Sequence, residues 1–459
     1  MAEDWRTVRD VAGITGGSVE AALPDTEIRS VTIDSREAGP GSLFVALAGG
    51  VRDGHDFAED AAAHGAVAIL ASRPIPKAKA PVIRVPDTLQ ALQRLAAARR
   101  AAFAGPVIAV TGSSGKTTTR QMIASILSVR RPTLTPVKNF NNHIGLPLTL
   151  CRLGPGFGAA VLELGTSGFG EIALLASLSR PDVGVVTLVG PAHLEQLGSL
   201  DGVAKAKGEL LLALDGSGIA VVNGDDPRVR AMPTPAKRRV VFGRREDADA
   251  RLLGWTVGDQ GMRPRIAIAG EVIDPPMRLV GEHNAMNAAA AGAAAWSIGF
   301  APDEIRLGLA RVEPVAGRQV FLKGPGGALL IDDTYNANPS SVAAALDVLS
   351  AMDGAKVAVL GDMLELGKTA AEAHRLVGEK AAAVPLARLV TLGTLAVEIG
   401  RAAMASGLAR PAWSHVEGHE EAAEALREWD RPGVAILFKG SRGMRMEKVI
   451  ALLLGKGEG

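Results

Sequence analysis

The chain is predicted to be an α/β protein of three domains. Its 459 residues exceed what one hydrophobic core usually supports. Short apolar runs alternate with helix-length segments along its length, the pattern of βαβ units around parallel sheets. The style of the pattern changes near residues 100 and 312, which divides the chain into 1–100, 101–312 and 313–459. The expected architecture is a small α/β N-terminal domain, a central parallel-sheet domain built on a phosphate loop, and a C-terminal Rossmann-like α/β domain.

In the first region the strand candidates are Ser30–Asp34, Leu43–Leu47, Ala66–Leu70 and Val82–Val85, with a helix near Phe57–His64. Asp87 can cap a helix running to Phe103, because its carboxylate accepts from first-turn N–H groups. The second region offers strands at Val107–Val110, Ala159–Leu164, Val183–Val189 and Ile219–Asn223, with helices at Thr118–Val129, Gly170–Ser179 and Gly202–Leu214. In the third, strands are expected at Ala328–Asp332, Lys356–Leu360, Leu389–Leu392 and Val434–Phe438. The helices there are Ser340–Met352, Thr369–Val384, Leu395–Ser406 and Glu420–Trp429. In such sheets ligands sit beyond the carboxyl ends of the strands.

The most informative segment is Thr111-Gly112-Ser113-Ser114-Gly115-Lys116-Thr117-Thr118, between an apolar strand and a helix. Glycines let backbone N–H groups turn toward phosphate oxygens, and the helix N-terminus adds a favourable dipole. Lys116 would meet the β- and γ-phosphates, and the Thr117 hydroxyl would bind Mg²⁺. Val110 stands where the strict P-loop pattern wants glycine, so only the shorter form of the motif is present. Glu163 and His193 end or follow strands of the same sheet and are candidate metal ligands, although imidazole is a less usual partner for Mg²⁺. Lys205 and Lys207 lie on the helix after His193. An ammonium beside divalent cations is poorly placed, whereas reaction with CO₂ would turn it into an anionic carbamate. Asn284 and Asn287 share a helix face and could pair with an adenine edge. Gly317-Arg318 stands at the start of the third region; Asp333, Tyr335, Asn336 and Asn338 form a polar cluster after one of its strands, and Lys439 and Arg442 follow another.

Composition narrows the partners. The formal net charge is +1, which favours neither nucleic acid nor a membrane surface. Cys151 is the only cysteine, so no intrachain disulfide can form, as expected of a reducing cytoplasm. No basic-then-apolar leader opens the sequence, and the alanine-rich stretches fall short of a membrane span.

Taken together, these motifs resemble the Mur ligase family, and within it the branch that adds a dipeptide. Asp34-Ser35-Arg36, the run from Pro40 to Leu47 and Asp53-Gly54-His55-Asp56-Phe57 match the family's UDP-binding domain. In the central domain the phosphate loop, the run from Lys138 to Pro147, Glu163-Leu164-Gly165 and His193 match. The Asp333–Pro339 and Gly361–Gly367 segments point to the dipeptide-adding branch; the signatures of diaminopimelate-adding relatives and of folylpolyglutamate synthases, the alternatives within the superfamily, are absent. Two departures are modest: Ser114 replaces a common asparagine, and His143 stands where an acidic residue is frequent.

The resemblance implies an ATP- and Mg²⁺-dependent ligase acting on a UDP-N-acetylmuramoyl-tripeptide and D-alanyl-D-alanine, as a monomer in the cytoplasm. It implies ATP binding by Thr111–Thr118, Asn284, Asn287, Arg318 and Asp333. Metal would be held by Thr117, Glu163, His193 and a carbamylated Lys207, chosen over Lys205 by alignment. It assigns catalytic roles to Lys116, Glu163, His193, Lys207, Arg318 and Asp333. Ser35, Arg36, Phe44, Asn141, Asn142, Tyr335, Asn336, Asn338, Lys439 and Arg442 would contact the substrates, and domain closure would bring Arg318 and Asp333 over the nucleotide. A different class with the same phosphate loop, a non-catalytic nucleotide-dependent switch, would not need Glu163, His193 and Lys207 together.

Overall fold

The computed structural model describes residues 5–19, 25–50, 52–137, 139–258, 261–314, 317–409 and 412–455. Lys138, part of one motif above, lies outside them. The described residues form three sheets. In the first, Ser30–Thr32, Ser42–Val45, Ala68–Ala71 and Val82–Arg84 pair in parallel, and Ser18–Val19 closes one edge antiparallel. The helix Thr88–Ala102, capped by Asp87 through the Leu89 and Gln90 amides, leads to the central domain. Arg100 near its end anchors the junction, donating to the Ser179 and Arg180 carbonyls and to Asp182.

The central sheet has nine strands. Thr133–Leu134, Ala159–Glu163, Val107–Thr111, Val183–Val186, Ile219–Asn223, Arg238–Gly243 and Ala250–Gly258 form its parallel part in that spatial order. The strands Gly261–Ile268 and Glu271–Ile273 extend it antiparallel. This last stretch was not anticipated, although Gly261–Ile268 alternates between buried and more exposed side chains in the period-2 manner of a strand with one covered face. The alanine-rich helix Glu282–Ser297 is buried along most of its length and packs against the phosphate-loop helix Lys116–Leu127. Small side chains allow that approach: Ala285, Ala288, Ala289 and Ala293 are all inaccessible.

In the third sheet the spatial order is Val320–Lys323, Leu329–Asp332, Val434–Lys439, Ala355–Gly361, Leu386–Leu392 and Trp413–Val416. All pairs are parallel except the first. Predicted strands and helices recur here within a few residues. The expected helix Glu420–Trp429 is instead an α-helix, His419–Glu424, followed by a 3₁₀ turn, Arg427–Trp429. Among the described residues no helix is long and apolar enough to cross a membrane.

Close approach also fixes the helix Pro302–Ala310 against the phosphate-loop helix. A Cβ on Gly308 would lie 2.3 Å from the Ile126 Cα, a backbone atom that cannot rotate away. Gly308→Ala is therefore expected to cost about 1–3 kcal/mol, the range of an overpacked core, read as a lowered midpoint in thermal or denaturant unfolding.

Candidate active site

Register brings the site together. Val107–Thr111 lies between two parallel partners, with Val110 opposite Glu163 and Thr111 opposite Val186. The turn that follows thus emerges with Glu163 on one side and Thr187 on the other. Gly112 has φ 149°, and a Cβ there would sit 1.9 Å from the Thr187 hydroxyl. The loop is braced from within: the Lys116 ammonium donates to the Gly112 carbonyl at 2.7 Å, Thr187 Oγ1 to the Ser114 carbonyl at 2.6 Å and Ser113 Oγ to the Gly190 carbonyl at 2.9 Å. Gly115 caps the helix with no side-chain acceptor. Its first-turn N–H groups therefore face the opening without a side-chain partner, the arrangement that binds anions.

Glu163 is 7% exposed and lies at the centre of this edge. Its Oε2 accepts from the Thr117 hydroxyl at 2.7 Å and its Oε1 from the Asn141 amide at 3.0 Å. The Arg120 guanidinium stands 3.9 Å away. Burial alone would raise this carboxyl, but Lys116, the two hydrogen bonds and Arg120 outweigh it and hold it below the ordinary glutamate value. Arg120 was not singled out in the sequence. It sits one turn into an ordinary-looking helix, and only burial reveals it.

The two lysines of the following helix separate cleanly. Lys205 is exposed, with its ammonium 5.6 Å from the centre of the Phe169 ring. Lys207 is 1% exposed. Burial first, then the nearby Lys116 charge, lowers its amine to about 7. His193, in a left-handed backbone conformation at φ 51°, places Nδ1 3.0 Å from the Glu365 carboxylate of the third domain. Burial, Lys207 and Lys116 push this imidazole toward its neutral form, and Glu365 opposes them.

The third domain closes the cleft. Arg318 Nη2 donates to the Thr117 hydroxyl at 3.0 Å, and its guanidinium lies 4.3 Å from the centre of the Tyr335 ring. Asp332 pairs in register with Phe438, so the strand ends deliver Asp333 and Lys439 side by side as a buried ion pair at 2.7 Å. The Lys439 ammonium also donates to the Asn336 carbonyl at 3.0 Å. A cavity of about 970 Å³ runs between the two domains, lined by the phosphate loop, Glu163, His193, Asn284, Asn287, Arg318, Asp333, Tyr335 and Lys439, with Phe242, Trp255 and Met286 on an apolar side.

Several expected contact residues are occupied otherwise. The Asn284 amide donates to the Val280 carbonyl and to Gln319, and that of Asn287 to Asn284 Oδ1. Asn287 Oδ1 accepts from the Thr119 hydroxyl and lies 2.4 Å from where a Gly115 Cβ would be. This pair braces the loop while lining the cavity. Asn338 caps the helix Pro339–Ser350 through the Ser341 amide at 2.8 Å, and Asn142 Oδ1 accepts from the Ile144 and Gly145 amides at the start of the next helix. Arg442 pairs with Glu447 at 3.0 Å outside the cavity lining. In the N-terminal domain Ser35 is buried, while Arg36 is exposed and paired with Asp34 at 2.6 Å. Phe44 must be corrected: it is fully buried in an apolar cluster with Ile69 and Ala58. Every side chain of its strand is buried, so its ring offers no surface to a ligand.

Comparison with known proteins identifies the family. Residues 27–100 match the family model described as Mur ligase family, catalytic domain; residues 110–295 match the Mur ligase middle domain, and residues 317–442 the Mur ligase glutamate ligase domain. The chain belongs to the Mur ligase family. The UDP-N-acetylmuramoyl-tripeptide–D-alanyl-D-alanine ligase of Escherichia coli is 39% identical over 98% of this chain and 99% of its own. That of Bacillus subtilis is 36% identical over 98% of each. A crystal structure of MurF from Acinetobacter baumannii superposes with a TM-score of 0.90, at 34% identity and 99% coverage of both chains. MurF ligase from Thermotoga maritima, solved in complex with ADP, does so at 0.83 with 30% identity, covering 95% of this chain and 99% of that one.

The buried amine of Lys207 has a consequence for stability. Its pKa falls from 10.5 to about 7 on folding, so between those values the unfolded chain binds more protons and stability rises with pH. Below about pH 7 the burial penalty is complete. In CO₂-free buffer, Lys207→Met is expected to stabilise the protein at pH 6 by a few kcal/mol, on the order of the shift converted at about 1.4 kcal/mol per unit, and by clearly less at pH 9. Equal gains at both pH values would contradict the assignment.

Proposed function

We propose that this chain is an ATP-dependent ligase that joins D-alanyl-D-alanine to the tripeptide carboxylate of UDP-N-acetylmuramoyl-tripeptide, yielding a UDP-linked pentapeptide of cell-wall synthesis. It would act in the cytoplasm, and as a monomer, because its own third domain completes the cleft. Family membership and the names of the full-length relatives support the reaction. The single observation that carries it is the Arg318–Thr117 hydrogen bond at 3.0 Å, which ties a cation of the third domain to the phosphate loop of the second.

In this reading the terminal carboxylate attacks the γ-phosphorus of ATP, ADP leaves and an acyl phosphate forms. The amine of the dipeptide then attacks the acyl carbon and gives up a proton, and the bond to the phosphate oxygen breaks to release phosphate. Bringing two anions together requires positive charge that is already in place. Lys116 and the loop N–H groups supply part of it. Arg318 supplies more, and its buried Nε has no hydrogen-bond partner of its own. The Lys439–Asp333 pair positions the loop that carries Asn336 and Tyr335. The third domain also covers the cleft, which would exclude the water that hydrolyses an acyl phosphate.

The donor set fits Mg²⁺ in part. Among the described residues no three His, Cys, Asp or Glu side chains gather to hold a metal alone. The Thr117 hydroxyl and Glu163 carboxylate are adjacent hard oxygen donors, suited to an ion that shares its coordination with nucleotide phosphate and water. Mg²⁺, when bound, neutralises phosphate oxygens. Thr117 and Glu163 would hold one ion, and His193 with a carbamylated Lys207 a second. An amine near 7 is about half in the neutral form that reacts with CO₂ at neutral pH, against a trace for an ordinary lysine, and the nearby Lys116 charge favours the resulting anion.

Two measurements test the reading. Lys116→Ala is expected to lose ligation and to weaken ATP binding by about 1.5–3 kcal/mol, one charge-assisted contact, in a coupled assay where ADP release requires both the UDP-peptide and the dipeptide. Near-normal turnover in that variant would remove the phosphate-loop assignment. Lys207→Ala should be inactive, fold normally and recover activity as formate is titrated in, whereas Lys205→Ala stays active throughout. Full activity of Lys207→Ala without formate would exclude the carbamate.

A further inference from the structure

His193 and Glu365 meet across the boundary between the central and third domains, 3.0 Å apart. Both are non-glycine residues held at positive φ, 51° and 64° respectively. Such conformations cost free energy and persist only where the surroundings enforce them. The surroundings of Glu365 do so. Asp362 accepts from the Leu395 and Ala396 amides at 2.9 and 2.6 Å, the Met363 amide donates to His374 Nε2 at 2.9 Å, and the Leu364 amide donates to Ser441 Oγ at 2.9 Å. His374 itself is inaccessible and donates through Nδ1 to the Ala370 carbonyl at 2.7 Å. The turn is fixed to its own domain at four points, and its projecting carboxylate reaches the other domain. Gly367, at φ 54°, lies so close to Glu195 that a Cβ would stand 3.4 Å from that residue's Cβ.

We propose that Glu365 is a positioning residue for His193: by accepting the Nδ1 proton it fixes the tautomer and ring orientation that leave Nε2 free to ligate a divalent cation, and it does so only when the third domain lies against the second. A histidine ligand ordinarily donates its other ring N–H to a carboxylate or carbonyl, and loss of that partner commonly costs about 10–100-fold in metal affinity or activity. Here the partner comes from the other domain, so cation affinity becomes linked to how the two domains meet. This inference rests on the reading of His193 as a metal ligand given above.

The test uses full-length protein with ADP and Mn²⁺ as the probe, comparing wild type, H193A, E365A and E365Q by Mn²⁺ binding and by the imidazole ¹⁴N modulation in pulsed electron paramagnetic resonance. Wild type should show the modulation and H193A should lose it. E365A should weaken Mn²⁺ binding by about tenfold and reduce the modulation, with an unchanged unfolding midpoint. In E365Q, whose amide oxygen still accepts the Nδ1 proton, most of both should return. In turnover E365A should lower kcat while leaving KM for the dipeptide near wild type. Loss in H193A with wild-type behaviour in E365A overturns the role of Glu365 and leaves the His193 reading standing. Wild-type signals in both variants overturn the His193 reading and this inference with it.

Discussion

The rest of the site depends on a carboxylate that stays ionised while buried. Glu163 keeps its charge because Lys116, Arg120, Thr117 and Asn141 surround it. Truncating one side of such a network leaves the other unpaired at low dielectric, which is far costlier than removing a surface pair. Glu163 also supplies the counter-charge that tolerates Lys116, whose amine burial pushes below its ordinary value. The phosphate loop, its lysine and the carboxylate are therefore one electrostatic unit. Parallel register assembles it before any ligand arrives, since Val110 and Glu163 are paired neighbours.

The third domain applies the same device. Paired strand ends place Asp333 and Lys439 together, and that pair anchors the loop from which Tyr335 flanks Arg318. Two of the contacts that cross the cleft are Arg318 to Thr117 and Glu365 to His193. Each joins a group rigidly held in one domain to a group at the carboxyl edge of the other sheet. Neither is worth much alone: one is a single hydrogen bond to a neutral hydroxyl, the other a partly exposed pair of the kind that contributes little. Together they align the cleft, leaving bound nucleotide and substrate to supply the remaining attraction between the domains.

Sequence showed the fold and the strand–loop–helix at Lys116 well because both follow from local chemistry: apolar alternation, glycines in a turn, and lysine and threonine at a helix start. It showed burial poorly. Lys205 and Lys207 look alike in sequence, yet one is exposed and the other inaccessible; only the packing of their helix separates them. Phe44 resembled a contact residue but fills a core. Asn284, Asn287, Asn338 and Asn142 line the cavity and also hold the protein's own structure, through the Val280 carbonyl, Gln319, the Thr119 hydroxyl and helix-start amides. Arg120 gave no local signal, and Glu365 stood out only as part of the Gly361–Gly367 segment, with nothing to tie it to His193. Their significance arises from a neighbour 43 residues away in one case and from another domain in the other. The antiparallel extension of the central sheet was legible in the alternation of Gly261–Ile268 and was overlooked beside the stronger parallel-strand pattern.

The central claim is that ATP activates a carboxylate rather than being hydrolysed by water. The most direct measurement uses UDP-N-acetylmuramoyl-tripeptide labelled with ¹⁸O in its terminal carboxylate, with unlabelled ATP, Mg²⁺ and D-alanyl-D-alanine, and follows the label by mass spectrometry. The account predicts that the label passes from the carboxylate into the released phosphate as the pentapeptide forms. Phosphate free of ¹⁸O, or ADP formed without the dipeptide entering the product, would contradict it.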